Sequence, residues 1–164
     1  MKPAEPAEAD LAAIDSFCDI LWLEDGLARA SLASYRSDLL QLAVWLAETR
    51  RGSLCDLDEA TLLAFVATLS QSLRASSQAR YLSTLRRFYR HQLARGLRPD
   101  DPTLRIAMPA KPSRLPKVVS EAQVEALLAA PRSETALGQR DRAMLETLYA
   151  TGLRVSELVG LRLH

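Results

Sequence analysis

The chain has 164 residues, 48% of them apolar and 25% charged, with a net charge of +1 at pH 7. That length gives one ordinary domain or two small ones with a true core, and the composition is that of a globular, soluble protein. No apolar run approaches the ~20 residues of a bilayer crossing, and the acidic, Pro/Ala-rich start MKPAEPAEAD has neither the basic nor the apolar region of a secretory signal, so the expected location is the cytoplasm.

Residues 1–9 read as a flexible N-terminus. From Asp10 to Glu24, Leu11, Ile14, Cys18, Leu21 and Trp22 recur at helical spacing, and EDG ends the run. From Ser31 to about Arg50, Leu32, Tyr35, Leu39, Leu42, Ala43 and Leu46 form one stripe, with Ser34, Ser37 and Gln41 opposite, and RRGS breaks the chain. A third helix fits 58–70, capped by Asp56 or Asp58, with Leu62, Leu63, Phe65, Val66 and Leu69 supplying apolar contacts. A fourth runs from Ser77 to Ala94 and stops at RGLRPDDP, where Gly96 and two prolines forbid continuation. No strand-like alternation occurs here, so residues 10–100 are expected to form a four-helix bundle. Cys18 and Cys55 lack metal-ligand spacing and read as two buried thiols rather than a disulfide.

Charge is unevenly spread. Residues 1–70 hold five basic side chains against twelve acidic ones, whereas 71–120 hold eleven basic ones against only Asp100 and Asp101. A segment of net charge +9 calls for an anionic partner. Eighteen arginines against three lysines suit bidentate phosphate and guanine contacts, although a GC-rich genome gives the same bias. On the fourth helix, SSQARYLSTLRRFYRHQLARG, Leu82, Leu85, Tyr89 and Leu93 share one face. Arg80, Thr84, Arg87 and His91 fall opposite, flanked by Arg86 and Arg90. Such a helix can bury one side and lay the other along DNA. The competing reading is a solvated, ion-paired helix, weakened because no acid lies between Glu59 and Asp100. His91 is placed on the polar face, not as a metal ligand.

The segment DPTLRIAMPAKPSRLPKVVS, 101–120, has four prolines and no helical period, so 101–119 reads as an extended basic linker that either crosses a DNA backbone or merely tethers. SEAQ at 120–123 is a capping box, with Ser120 as N-cap of a short helix stopped at Pro131. GQRDRAMLETLYATG follows, with Met144, Leu145 and Leu148 inward and Gly152 as C-cap. Ser156 is then expected to cap a third helix from Glu157. Residues 120–164 are too few to bury an adequate core and read as the first piece of something larger.

The motif YATGLRVSELVGL is similar to the first arginine motif of tyrosine site-specific recombinases. SLASYRSDLLQLAVWL, SSQARYLSTLRRFYRHQLARG, DPTLRIAMP and RLPKVVSEAQVEALLAAP resemble the cellular Xer subgroup, its XerD branch more than its XerC branch. The resemblance covers the chain from about Asp10 and rests on ordered motifs at family spacing.

It implies an all-α chain made of a SAM-like core-binding bundle, a basic linker and the first helices of a truncated catalytic domain. Together the two domains would, by that resemblance, clamp DNA in a C shape. The second and fourth helices would face the duplex, with Ser34, Arg36, Ser37, Gln41, Arg80, Thr84, Arg87 and Arg90 as candidate contacts, and Lys111, Arg114 and Lys117 along the linker. The first catalytic arginine falls on Arg154, where a guanidinium would hold the charge gathering on the phosphate as a tyrosine attacks it. Glu157 matches an acidic position that helps hold the arginine; otherwise the pair is a surface arginine capped by its neighbour.

The family's lysine, His-x-x-Arg segment, further His or Trp, and tyrosine nucleophile all lie downstream of that motif. Tyr35, Tyr81, Tyr89 and Tyr149 match none of these and read as packing, or for Tyr81 as DNA stacking, and His164 is no catalytic histidine. The chain thus reads as truncated and inactive alone. The whole recombinase would act on a double-stranded recombination site through a 3′-phosphotyrosyl link, without metal or other cofactor. It would work in a heterotetramer with a second Xer recombinase, prompted by a septal DNA translocase, in chromosome dimer resolution. The alternatives are a phage or integron integrase of the same superfamily and a non-catalytic helical binding module.

Overall fold

A helix ends where its last carbonyls find another partner, and three of the described helices end on a residue in the left-handed conformation. In the computed structural model, which describes residues 5–109 and 118–162, the elements in order are α1 (Glu8–Asp25), α2 (Arg29–Thr49), α3 (Glu59–Ser72), α4 (Ala75–Ala94), α5 (Glu121–Ala129), α6 (Ala136–Thr151) and α7 (Val155–Val159). There is no strand among the described residues. The helices fall into two compact units that part between Pro112 and Ser113. Gly26 ends α1 in the left-handed conformation, as EDG predicts. At RRGS the left-handed residue closing α2 is Arg50, with φ 53°, two positions before the glycine. Of the two candidate caps for α3, Asp58 is used, accepting from the Thr61 N–H at 2.8 Å.

The core of the first unit comes from all four helices. Ile14, Phe17 and Leu21 of α1 meet Leu39, Leu42 and Leu46 of α2, Leu62 and Phe65 of α3, and Tyr81, Leu85, Phe88 and Tyr89 of α4. Phe17 meets Phe88 edge-on with ring centres 5.3 Å apart. Trp22, expected inside, is 59% exposed, and Leu11, Leu63 and Leu93 also face outward. The cause is the width of the buried arcs. α4 is enclosed on several sides, so its apolar arc is centred on Tyr81, Leu85 and Phe88 and leaves Leu93 outside.

A polar staple closes the bundle. The loop between α2 and α3 is held by three distant groups: buried Asp10 accepts from the Leu54 N–H at 2.8 Å, Tyr89 donates to the Leu54 carbonyl at 3.1 Å, and Arg98 donates to the carbonyls of Cys55 and Leu57. Burial pushes the Asp10 carboxyl above its ordinary value, against the lowering effect of that N–H. The expected linker is corrected here, because its first residues belong to the bundle. Pro102, Thr103 and Ile106 are buried, Ile106 in the core itself, and Arg86 donates to the Ile106 carbonyl at 2.6 Å. Asp101 caps the turn by accepting from the Thr103 N–H and hydroxyl.

In the second unit the capping box at Ser120 is present, with both reciprocal bonds to Gln123. Thr135 caps α6 by accepting from the Gly138 N–H at 3.0 Å. Gly138 has no room for a side chain, since a Cβ there would lie 1.8 Å from the Arg132 carbonyl oxygen. Gly152 ends α6 in the left-handed conformation. The last helix begins at Val155, not at Glu157 as expected, because the Glu157 carboxylate accepts from the Arg154 N–H at 2.7 Å and makes residue 154 the cap. Ser156 therefore lies within the helix. Met144, Leu145 and Leu148 are only half-buried, while Leu137, Tyr149, Val155 and Val159 are exposed.

Candidate nucleic-acid interface

Two helices of the first unit present polar side chains outward at helical spacing. On α2 these are Ser34, Ser37 and Gln41, all exposed, opposite the buried stripe. On α4 the open face carries Arg80, Ser83, Arg87 and Arg90. Thr84, a candidate contact, is instead buried and donates to Asp38 of α2 at 2.8 Å. The rotation follows from the packing of α2 on α4, which draws position 84 inside and brings Ser83 out.

The arginines are not alone. Arg80 donates through both terminal nitrogens to the two oxygens of Asp38, at 2.5 and 2.9 Å, and this bond raises the guanidinium above its ordinary value. Arg87 donates to Asp25 at 2.7 Å and to the Tyr35 hydroxyl at 3.1 Å. Arg36 pairs with Asp15, so it turns to α1 and away from Ser34, Ser37 and Gln41. Arg95 pairs with Glu24. Arg90 is exposed and has no ion pair or hydrogen bond among the described residues. The scarcity of acids near the basic segment in sequence is thus offset in space, because α1 and α2 supply Asp25 and Asp38. Lys111, Arg114 and Lys117 lie outside the described residues.

His91 is corrected too. Its ring lies 5.4 Å from that of Phe17, and both ring nitrogens are buried without a hydrogen-bond partner among the described residues. Burial, then the Arg95 charge, holds its pKa below the ordinary value. Folding therefore binds fewer protons at this site than the unfolded chain does, so its contribution is complete above the ordinary histidine value near 6.5 and is lost as pH falls below it. His91→Leu is expected to raise the melting temperature at pH 5.5 by more than at pH 8, as thermal unfolding at both values would show.

Tyr81 and Tyr89 are buried, donate to the carbonyls of Asp38 and Leu54, and have their phenols pushed upward by burial. Neither is free to stack on DNA or to attack a phosphate. In the second unit the Arg154 side chain is 82% exposed, and its guanidinium donates to Glu157 at 3.2 Å. Cys18, buried, and Cys55, half-buried, are both free thiols.

Residues 14–96 match the domain described as "Phage integrase, N-terminal SAM-like domain", and 117–164 match the "Phage integrase family". The chain belongs to the phage integrase family. The first match spans most of α1 through α4, and the second includes Arg154 and Glu157. Among family members the chain is 52% identical over 152 residues to the tyrosine recombinase XerD of Pseudomonas aeruginosa, covering 92% of this chain and 51% of that protein. Against the XerD proteins of Proteus mirabilis and Vibrio cholerae it is 49% and 44% identical, covering 92% and 98% of this chain and 48% and 53% of theirs. The chain therefore spans about half the length of the curated relatives it matches. No solved structure matches it. Among the described residues no helix is long and apolar enough to cross a membrane.

Sequence reasoning missed Asp38, Ser83 and Asp25 as parts of this polar face. A signal for Asp38 was present: with Tyr35, Leu39 and Leu42 it sits at helical spacing on the inward arc of α2, where an unpaired acid is not tolerated.

Proposed function

We propose that this chain is the DNA-gripping portion of a Xer-type tyrosine recombinase, with α2 and α4 laid against the duplex. One observation carries the reading: Ser83 and Arg90 are exposed on α4 with half-buried Arg87 between them, and Arg90, without a partner among the described residues, can meet a phosphate. Ser34, Ser37, Gln41 and Arg80 border these residues. Thr84 serves by holding Asp38, and Arg36 is at most peripheral. In the whole protein, Arg154 would place its guanidinium on the non-bridging oxygens of the phosphate under attack, with Glu157 orienting it. The core-binding unit would run from residue 10 past 100 to take in the buried residues up to Ile106, and the catalytic part would begin from 120.

The whole recombinase would cut and reseal a double-stranded site through a 3′-phosphotyrosyl link, conserving bond energy without metal or nucleotide. Its partners would be a second Xer recombinase in a heterotetramer and a septal DNA translocase, in the cytoplasm, resolving chromosome dimers. Fluorescence anisotropy with a labelled Xer-type half-site duplex, run against a scrambled duplex across a salt series, tests this. Binding is expected to fall steeply with salt, and no covalent protein–DNA product is expected from this chain alone. Absence of binding at low salt would refute the reading.

A further inference from the structure

We propose that Arg80 reads a base edge, guanine by its chemistry, and that Asp38 is the positioning residue that fits it for this. The inference rests on the DNA-binding reading above. The Arg80 side chain is 55% exposed, whereas that of Asp38 is 5% exposed. The carboxylate is held on two sides, since Thr84 donates to one oxygen at 2.8 Å and both Arg80 terminal nitrogens donate to the pair, while Tyr81 donates to the backbone carbonyl of the same residue and holds its main chain. A buried, immobile acid therefore holds an exposed guanidinium in one orientation.

That grip leaves part of the guanidinium unused. Five N–H groups are available, and the end-on pairing with Asp38 takes one from each terminal nitrogen. The Nε–H and the neighbouring Nη2–H point along the side edge, with no partner among the described residues. Two parallel donors match the O6 and N7 acceptors of guanine in the major groove. A phosphate is the poorer occupant, because it would bring a full negative charge toward the Asp38 carboxylate, while the guanine edge offers neutral acceptors. The ion pair is also net neutral, so it releases few counterions on binding. Arg90 has neither restraint. The surface thus divides its labour, with Arg90 holding backbone and Arg80 reading sequence beside a small groove of about 220 Å³ lined by Ser31, Ser34, Tyr35 and Ser83.

The test is selection by the full 164-residue chain from a pool of duplexes randomised over two helical turns. Wild type, Arg80→Lys, Asp38→Asn and Arg90→Ala are compared, each checked for folding by its melting curve. Wild type is expected to enrich a guanine at one position by about tenfold. Arg80→Lys, which keeps the charge at an exposed site, should flatten that position alone. Asp38→Asn should flatten it too, yet tighten binding to the unselected pool, because a competing negative charge is gone; simple loss of structure would weaken both. If Asp38→Asn fails to fold, Arg80→Lys decides. Arg90→Ala should weaken binding while preserving the motif. Binding without any enriched guanine, or an unchanged motif in Arg80→Lys, overturns this inference and leaves the DNA-binding reading standing. No binding to the pool at low salt overturns both.

Discussion

Replacing Arg87 and Arg90 together with alanine is expected to weaken binding to any duplex by about a hundredfold at low salt, at roughly 1.5 kcal/mol for each charged hydrogen bond lost. The log–log salt slope should shrink by about two, one unit for each phosphate contact removed. Arg90 is exposed, Arg87 is half-buried at the edge of the open face of α4, and neither belongs to the core, so the melting temperature should barely move. Their parts in the loss should differ. Arg90 has no partner to give up, whereas Arg87 must trade Asp25 and Tyr35 for phosphate. Arg90→Ala alone should therefore account for more than half of the effect. Anisotropy titrations of the two single variants and the double variant at several salt concentrations give each number. Unchanged affinity in the double variant would exclude α4 as the face that meets DNA.

Arg98→Ala is expected to cost the first unit about 3 kcal/mol. The guanidinium is buried and donates to the carbonyls of Cys55 and Leu57 and to the Asp100 carboxylate, while stacking over the Tyr89 ring at 5.3 Å. Removing it takes the donor from the buried Leu57 carbonyl and from the partly buried Cys55 carbonyl, at about 1–3 kcal/mol for a buried group. Domain stability is only about 5–15 kcal/mol, so the melting temperature should fall by about ten degrees or more. Arg98→Lys should recover less than half, because one ammonium on a flexible stem cannot serve two carbonyls and stack on a ring. Thermal unfolding followed by circular dichroism decides it, and a shift of only a degree or two would show that the loop is held by Asp10 and Tyr89 alone. DNA binding below the transition should survive in the lysine variant, since Arg98 is buried and its partners Cys55, Leu57 and Asp100 are not on the polar face of α2 and α4.

The helices were legible in the sequence because each carries its own period and its own stop. Gly26, Asp58, Ser120 and Gly152 act within a few residues of where they stand, so capping and termination follow from local chemistry. The basic character of residues 71–120 was legible for the same reason, and the motif around Arg154 lies within the segment that matches the integrase family. Boundaries shifted where the local signal was shared. Arg50 closed α2 before Gly52 could, and Glu157 drew the start of α7 back to Val155.

The tertiary structure decided which charges are free, and no window of sequence could have done so. Arg80 and Asp38 are 42 residues apart and Arg87 and Asp25 are 62 apart, yet each pair is in contact. A helical wheel assigns α4 one polar face and one apolar face, but a helix packed on more than one neighbour buries an arc set by all of them. Thr84 went inside for that reason and Ser83 came out. Sequence alone determined what the chain is made of and the family it resembles; packing determined that Arg90 stands without a partner among the described residues, that Arg80 is held by a buried acid, and that the supposed start of a linker is part of the core.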